Sequence, residues 1–169
     1  MRLTAYTDYT LRVLMYLSLR YESGGLATIE EIAAAYDISR NHLMKIVHQM
    51  AGAGLLDTVR GRSGGVRLAR DPSTISVGMV VRLAENDFAL VECFEPGKES
   101  CCAISPACNL TRGLRRALDA FMLELDRLTL RDAVSAPSVA AELLGIPAEP
   151  RRVIPLKPAP APGGKRSQG

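Results

Sequence analysis

Tryptophan is absent from this 169-residue chain, and aromatic residues of all kinds make up only 5%. A core must therefore be aliphatic, and the 47% hydrophobic content supplies one. No apolar run reaches bilayer length. The stretch from Leu11 to Leu19 is broken by Arg12 and Ser18 and followed by Arg20, well short of the roughly 20 apolar residues a spanning helix needs. No secretory leader is visible, so the expectation is a soluble, cytoplasmic protein with no membrane partner. Cysteine is missing everywhere except between Cys93 and Cys108, where all four lie. In a cytoplasmic protein such clustering favours metal ligation over structural disulfides. No Cys-x-x-Cys pair occurs, which weighs against a zinc ribbon or knuckle. The two histidines, His42 and His48, sit close together with no nucleophile pattern or phosphate loop around them, so no enzyme is expected.

The net charge is small, only +3. Its distribution says more. Residues 39–70 hold six Lys/Arg against one Asp/Glu, whereas residues 71–169 are balanced at twelve against twelve. A local basic face of this kind suits a polyanion.

The basic region coincides with a recognisable pattern. Thr7 is the expected cap of a first helix to about Tyr21, in which Leu11, Leu14, Met15 and Leu19 recur at helical spacing. Thr28, with Glu31 three residues on, forms a capping box for a second helix. After the turn Tyr36-Asp37-Ile38, Ser39 caps a third helix that turns Leu43, Ile46, Val47 and Met50 inward. Two short helices across a tight turn make a helix-turn-helix. Residues 55–59 and 66–69 alternate as strands around the basic, glycine-rich tip Arg60-Gly61-Arg62-Ser63-Gly64-Gly65, and this hairpin reads as a wing. The fold class expected is mainly α: a winged helix-turn-helix with a small β-hairpin and a long C-terminal dimerisation helix. The candidate DNA contacts are Ser39, Arg40, Asn41, His42, Lys45, His48 and Gln49 from the third helix. Arg60, Arg62, Ser63 and Arg67 join them from the wing.

Ser76 caps a fourth helix to about Glu85. Residues 86–109 form the cysteine loop. From Leu110, the residues Leu114, Leu118, Phe121, Leu125 and Leu128 step by four, three, four and three. That is a heptad seam, and a symmetric dimer is its economical partner. The expected organisation is a DNA-binding domain at 1–75, a connecting helix and cysteine loop at 76–109, and a dimerisation helix at 110–135. A short helical segment at 136–146 and a proline-rich disordered tail at 147–169 complete it.

Three thiols suit an iron–sulfur cluster, whose usual ligand count is four. A thiol redox switch or a zinc site is the alternative that the spacing leaves open. Tyr6-Thr7-Asp8-Tyr9, the helix-turn-helix with Ser39, Leu43 and Ile46, the Gly-rich wing tip and Cys102-Ala-Ile-Ser-Pro-Ala-Cys108 together resemble the winged-helix regulators that include IscR and NsrR. The resemblance covers about residues 1–135. The Cys-x-Ile-x-Pro-x-Cys segment looks most like the nitric-oxide-sensing repressors of that family. IscR-like members carry a His three residues after the last cysteine, where this chain has Thr111. The resemblance implies a homodimer on a palindromic double-stranded operator. It also implies a 4Fe-4S cluster, in preference to a 2Fe-2S one, held by Cys93, Cys102, Cys108 and Asp8 donated across the dimer. The first cysteine gap is longer than the family pattern, expanded by residues 96–100, which leaves open whether Cys101 or Cys102 ligates; Cys102 keeps the five-residue spacing to Cys108. Nitric oxide is the implied signal; iron supply, cluster supply or oxidation is the alternative. Glu85, next to the loop, is the candidate relay to the N-terminal helix.

Overall fold

The computed structural model describes residues 2–61 and 63–147. Six helices and one hairpin follow in the order α1 (Ala5–Leu19), α2 (Ile29–Tyr36), α3 (Arg40–Gly52), β1 (Leu56–Val59), β2 (Gly65–Leu68), α4 (Val77–Ala84), α5 (Asn109–Arg127) and α6 (Pro137–Leu143). Arg62 and the tail from 148 onward, including the expected disorder there, lie outside the described residues. Among those described, no helix is long and apolar enough to cross a membrane.

Local chemistry starts most helices where the side chains demand it. The Thr28–Glu31 box is closed in both directions at α2, Ser39 caps α3 and Ser76 caps α4. Asp37 adopts the left-handed conformation at φ 53° and turns the chain from α2 towards α3. The first helix begins earlier than expected. Thr4 is its cap, accepting a hydrogen bond from the Thr7 backbone N–H at 3.2 Å, and Thr7 lies inside the first turn, fully buried. Two threonines at that spacing offer the same hydroxyl, and packing selects the outer one.

The core is aliphatic. Leu14, Leu17, Ile32, Leu43, Ile46, Met50 and Leu55 close it between α1, α2 and α3. Each such side chain contributes on the order of 1.5–3 kcal/mol by leaving water. Strands β1 and β2 pair antiparallel with Leu56 opposite Leu68 and Asp57 opposite Arg67. Ala27 bridges to Val66 through hydrogen bonds of 2.9 and 2.8 Å. That contact requires Gly65, because a Cβ there would stand 2.7 Å from the Ala27 carbonyl oxygen.

The long C-terminal helix is shorter than the heptad pattern predicts. It ends at Arg127, not near 135, and Leu128 is already extended at ψ 117°. Thr129 then bridges to Ser76, the Val77 N–H donates to the Leu128 carbonyl at 2.7 Å, and the Leu130 N–H donates to the Ile75 carbonyl at 2.9 Å. Leu130 is wholly buried beside Ile75 and Val80 in the same core as α1–α3. Burial of that one leucine, with two backbone hydrogen bonds, outcompetes continuation of the helix. Residue 75 is accordingly no break in the core. The seam is also shared: Leu118, Phe121 and Leu125 pack partly on Val77 and Val81 of the same chain, around the buried Met122.

Helices α4 and α5 touch closely. Asp126 and Arg82 form a two-pronged ion pair at 2.5 and 2.7 Å, and Gly78 supplies the gap in which Asp126 sits.

Candidate nucleic-acid interface and cysteine loop

Helix α3 divides its polar residues between two directions. Asn41, Lys45 and His48 are exposed on the outer face. Arg40 is exposed but ion-paired to Glu30 of α2. Ser39 spends its hydroxyl on the cap, accepting from the His42 N–H at 3.4 Å and lying 3.1 Å from the His42 Nδ1. The His42 ring lies 5.8 Å from that of Tyr9 on α1.

Gln49 departs most from the expected base contact. Its Nε2 donates to the Leu83 carbonyl at the end of α4, at 2.7 Å, and its Oε1 accepts from the Tyr6 hydroxyl at 2.5 Å. Both ends of this amide are therefore engaged within the protein, tying α3 to α4 and α1. The wing presents Arg60 and Ser63 to solvent, while Arg67 pairs with Asp57 across the hairpin at 3.4 Å.

Glu85 follows α4 directly. Its Oε1 accepts from the Thr4 N–H at 2.7 Å and from the Thr4 hydroxyl at 3.2 Å. The start of α1 and the exit of α4 are thus joined at one carboxylate oxygen.

Eight residues later the cysteine loop brings two of its thiols to one corner. Cys108 caps α5. The Thr111 hydroxyl donates to its Sγ at 3.2 Å and lies 3.8 Å from the Cys93 Sγ. Sequence reasoning noted Thr111 only for not being His; its hydroxyl is what the two thiols share. That hydroxyl, then the Thr111 and Leu110 backbone N–H groups and the Arg112 guanidinium, hold the Cys108 thiol below the ordinary thiol range. Cys101 is pushed the other way, first by partial desolvation and then by the neighbouring Glu92, Cys93 and Cys102. All four cysteines are free, Cys93 and Cys108 half-buried and Cys101 and Cys102 exposed.

Among the described residues no three His, Cys, Asp or Glu side chains converge to hold a metal ion. Cys102 does not reach the Cys93–Cys108 corner in this arrangement. Asp8 is held by Arg12 at 2.8 Å on α1, where the two line a shallow depression of about 440 Å³ with Tyr9 and Tyr36. The Asp8–Arg12 pairing at i, i+4 was legible in the sequence and went unread.

The donor chemistry fits a soft metal centre. One thiol is poised to ionise, a second shares its hydroxyl partner, and a third sits on the same short, irregular loop, none of them tied up in a disulfide.

Residues 3–136 match the family model Rrf2, an iron-dependent transcriptional regulator. The HTH-type transcriptional regulator NsrR of Bacillus subtilis (strain 168) is 47% identical over 144 residues, covering 85% of this chain and 97% of that relative. NsrR of Bacillus licheniformis is 46% identical over 134 residues, covering 79% of this chain and 92% of the relative. Among solved structures, CymR (YrzC), the global cysteine regulator of B. subtilis, superposes with a TM-score of 0.64 at 28% identity, covering 80% of this chain and 97% of that one. The expected class, regulation rather than catalysis, agrees with these relatives. The match runs through both the helix-turn-helix and the cysteine loop, so the chain as a whole, and not its DNA-binding part alone, belongs to the Rrf2 family of iron-dependent transcriptional regulators.

Proposed function

We propose that this regulator is a homodimeric repressor of a palindromic operator, that it carries a 4Fe-4S cluster, and that nitric oxide is its signal. Cys93, Cys102 and Cys108 hold the cluster, together with Asp8 of the partner subunit. The observation that carries this reading is the Cys93–Thr111–Cys108 corner at the start of α5. Identity to two NsrR proteins supports the choice of signal. A bound cluster supplies iron that nitric oxide ligates readily.

The chain's own residues supply the transmission. Cys93 and Cys108 flank the loop between α4 and α5. Glu85 holds the exit of α4 to Thr4, and Gln49 holds the same exit to the recognition helix. Arg12 competes for the Asp8 carboxylate in the single protomer. A change in how the loop is held therefore reaches α3 through polar contacts already in place. The seam residues Leu114, Leu118, Phe121 and Leu125 are only half-buried and Leu128 is exposed at their end, and a second copy covers the apolar surface they leave. A ten- to hundredfold change in operator affinity requires only about 1.4–2.8 kcal/mol of coupling.

The test is anaerobic purification with iron and sulfide analysis, then gel shifts of cluster-loaded and nitric-oxide-treated protein on one operator. Absence of sulfide after reconstitution, or equal binding by the two forms, refutes the proposal. A second reading, that the cluster reports iron supply, is favoured by the family's description as iron-dependent. A chelator that relieves binding at concentrations leaving nitric oxide without effect would select it.

A further inference from the structure

Helix α3 carries one large apolar side chain where its neighbours are polar. Asn41, Met44, Lys45 and His48 recur at i, i+3, i+4 and i+7, which places them on one face. All four are exposed, and Met44 is 59% exposed. The opposite face, Leu43, Ile46 and Met50, is wholly buried. Gln49 and His42 are turned sideways, towards Leu83 and Tyr6 and towards Tyr9. His42 and Gln49 stay exposed beside this face, and Met44 forms one edge of it, with His48 and Asn41 between it and Lys45.

A single exposed hydrophobic residue needs no explanation on an ordinary surface. On the outward face of a recognition helix it meets a restricted chemistry. The major groove displays hydrogen-bond donors and acceptors and one apolar group, the C5-methyl of thymine. A methionine facing only donors and acceptors would desolvate them without replacing their hydrogen bonds. Facing a thymine methyl, its flexible, polarisable thioether packs against the one partner that suits it.

The geometry points to Met44 as a base-reading residue that selects thymine in the operator through apolar contact with the C5-methyl group. This inference rests on the DNA-binding reading and holds whichever signal the regulator senses. Asn41, Lys45 and His48 supply the surrounding polar contacts.

The test replaces the methyl group, not the protein fold. A duplex is selected from a random-sequence pool by the full chain, purified anaerobically and reconstituted with iron and sulfide, and each of its thymines is then replaced singly by deoxyuridine, which removes only that methyl. Binding is followed by fluorescence anisotropy at one salt concentration. The wild-type chain is expected to lose about fourfold in affinity at one or more positions, the size of one methyl group's burial. Met44→Ala, and Met44→Gln of similar length, are expected to bind the thymine and uracil forms of that position equally. Asn41→Ala is expected to keep the fourfold discrimination. Circular dichroism of the variants should match the wild type, since the side chain is mostly exposed, outside the buried core. A wild-type chain indifferent to every methyl, or a Met44→Ala chain that discriminates as the wild type does, overturns the inference. Recovery of no duplex at all refutes the DNA-binding reading instead.

Discussion

Replacing Gly78 by alanine should destabilise the protein, although helix propensity alone predicts the reverse. In an open helix position alanine is favoured over glycine by roughly 1 kcal/mol. At Gly78 the added Cβ would stand 2.1 Å from the Asp126 Oδ1, 2.9 Å from its Cγ and 2.9 Å from its backbone nitrogen. The carboxylate can swing aside by giving up Arg82, and an exposed pair of this kind contributes only about 0.2–1 kcal/mol. The backbone nitrogen cannot swing. Relief requires α5 to move away from α4, and overpacking of that kind costs about 1–3 kcal/mol. The two costs together outweigh the propensity gain, leaving a net loss of about 1–2 kcal/mol. The control is Gly52→Ala at the end of α3, where a Cβ meets nothing within 4 Å and only the propensity gain remains. Urea unfolding of the cluster-free, reduced chain, at one protein concentration so that any dimer contributes equally, reads the difference. With a slope of about 1–3 kcal/mol per molar urea, Gly78→Ala should lower the midpoint by roughly 0.5–1 M and Gly52→Ala should hold or raise it. A Gly78→Ala midpoint at or above the wild type would show that the α4–α5 contact is not as close as described.

Gln49→Ala should lower stability by about 1–2 kcal/mol, since two hydrogen bonds near 1 kcal/mol each are lost. It should weaken binding by a similar factor to every operator variant; relaxation confined to one base pair would restore the direct-contact reading of Gln49. Thr111→Val removes the hydroxyl that keeps the Cys108 thiol below its usual range. A depressed thiol stays ionised to lower pH, so the variant's Cys108 should need higher pH for alkylation by iodoacetamide. Site-resolved mass spectrometry of the cluster-free chain measures this, and a superimposable pH profile would contradict the role given to Thr111.

What the sequence made legible was decided by near neighbours. The caps Thr28, Ser39 and Ser76 and the alternation of β2 depend on residues a few positions away, and each lies where local chemistry puts it. The end of α5 depends instead on Ile75 and Val77, far back in the chain, and the heptad spacing through Leu128 carried no sign of them. Gln49 shows the limit of a helical wheel. It separates buried from polar positions but does not distinguish a polar residue facing a groove from one facing a neighbouring helix. The cysteine loop lacks any period, so its spacing marked candidate cysteines without bringing them together. The corner made by Thr111 had to be seen in three dimensions.

The Ser76–Thr129 bridge, with its flanking hydrogen bonds, ties the two ends of the α4–α5 hairpin to each other, beside Ile75 and Leu130 in the core. Helix α5 has 19 residues, so its cysteine-bearing tip stands about 28 Å from the bridge. A tilt of about 5° carries that tip roughly 2.5 Å, whereas Glu85, eight residues along the shorter arm, moves about 1 Å.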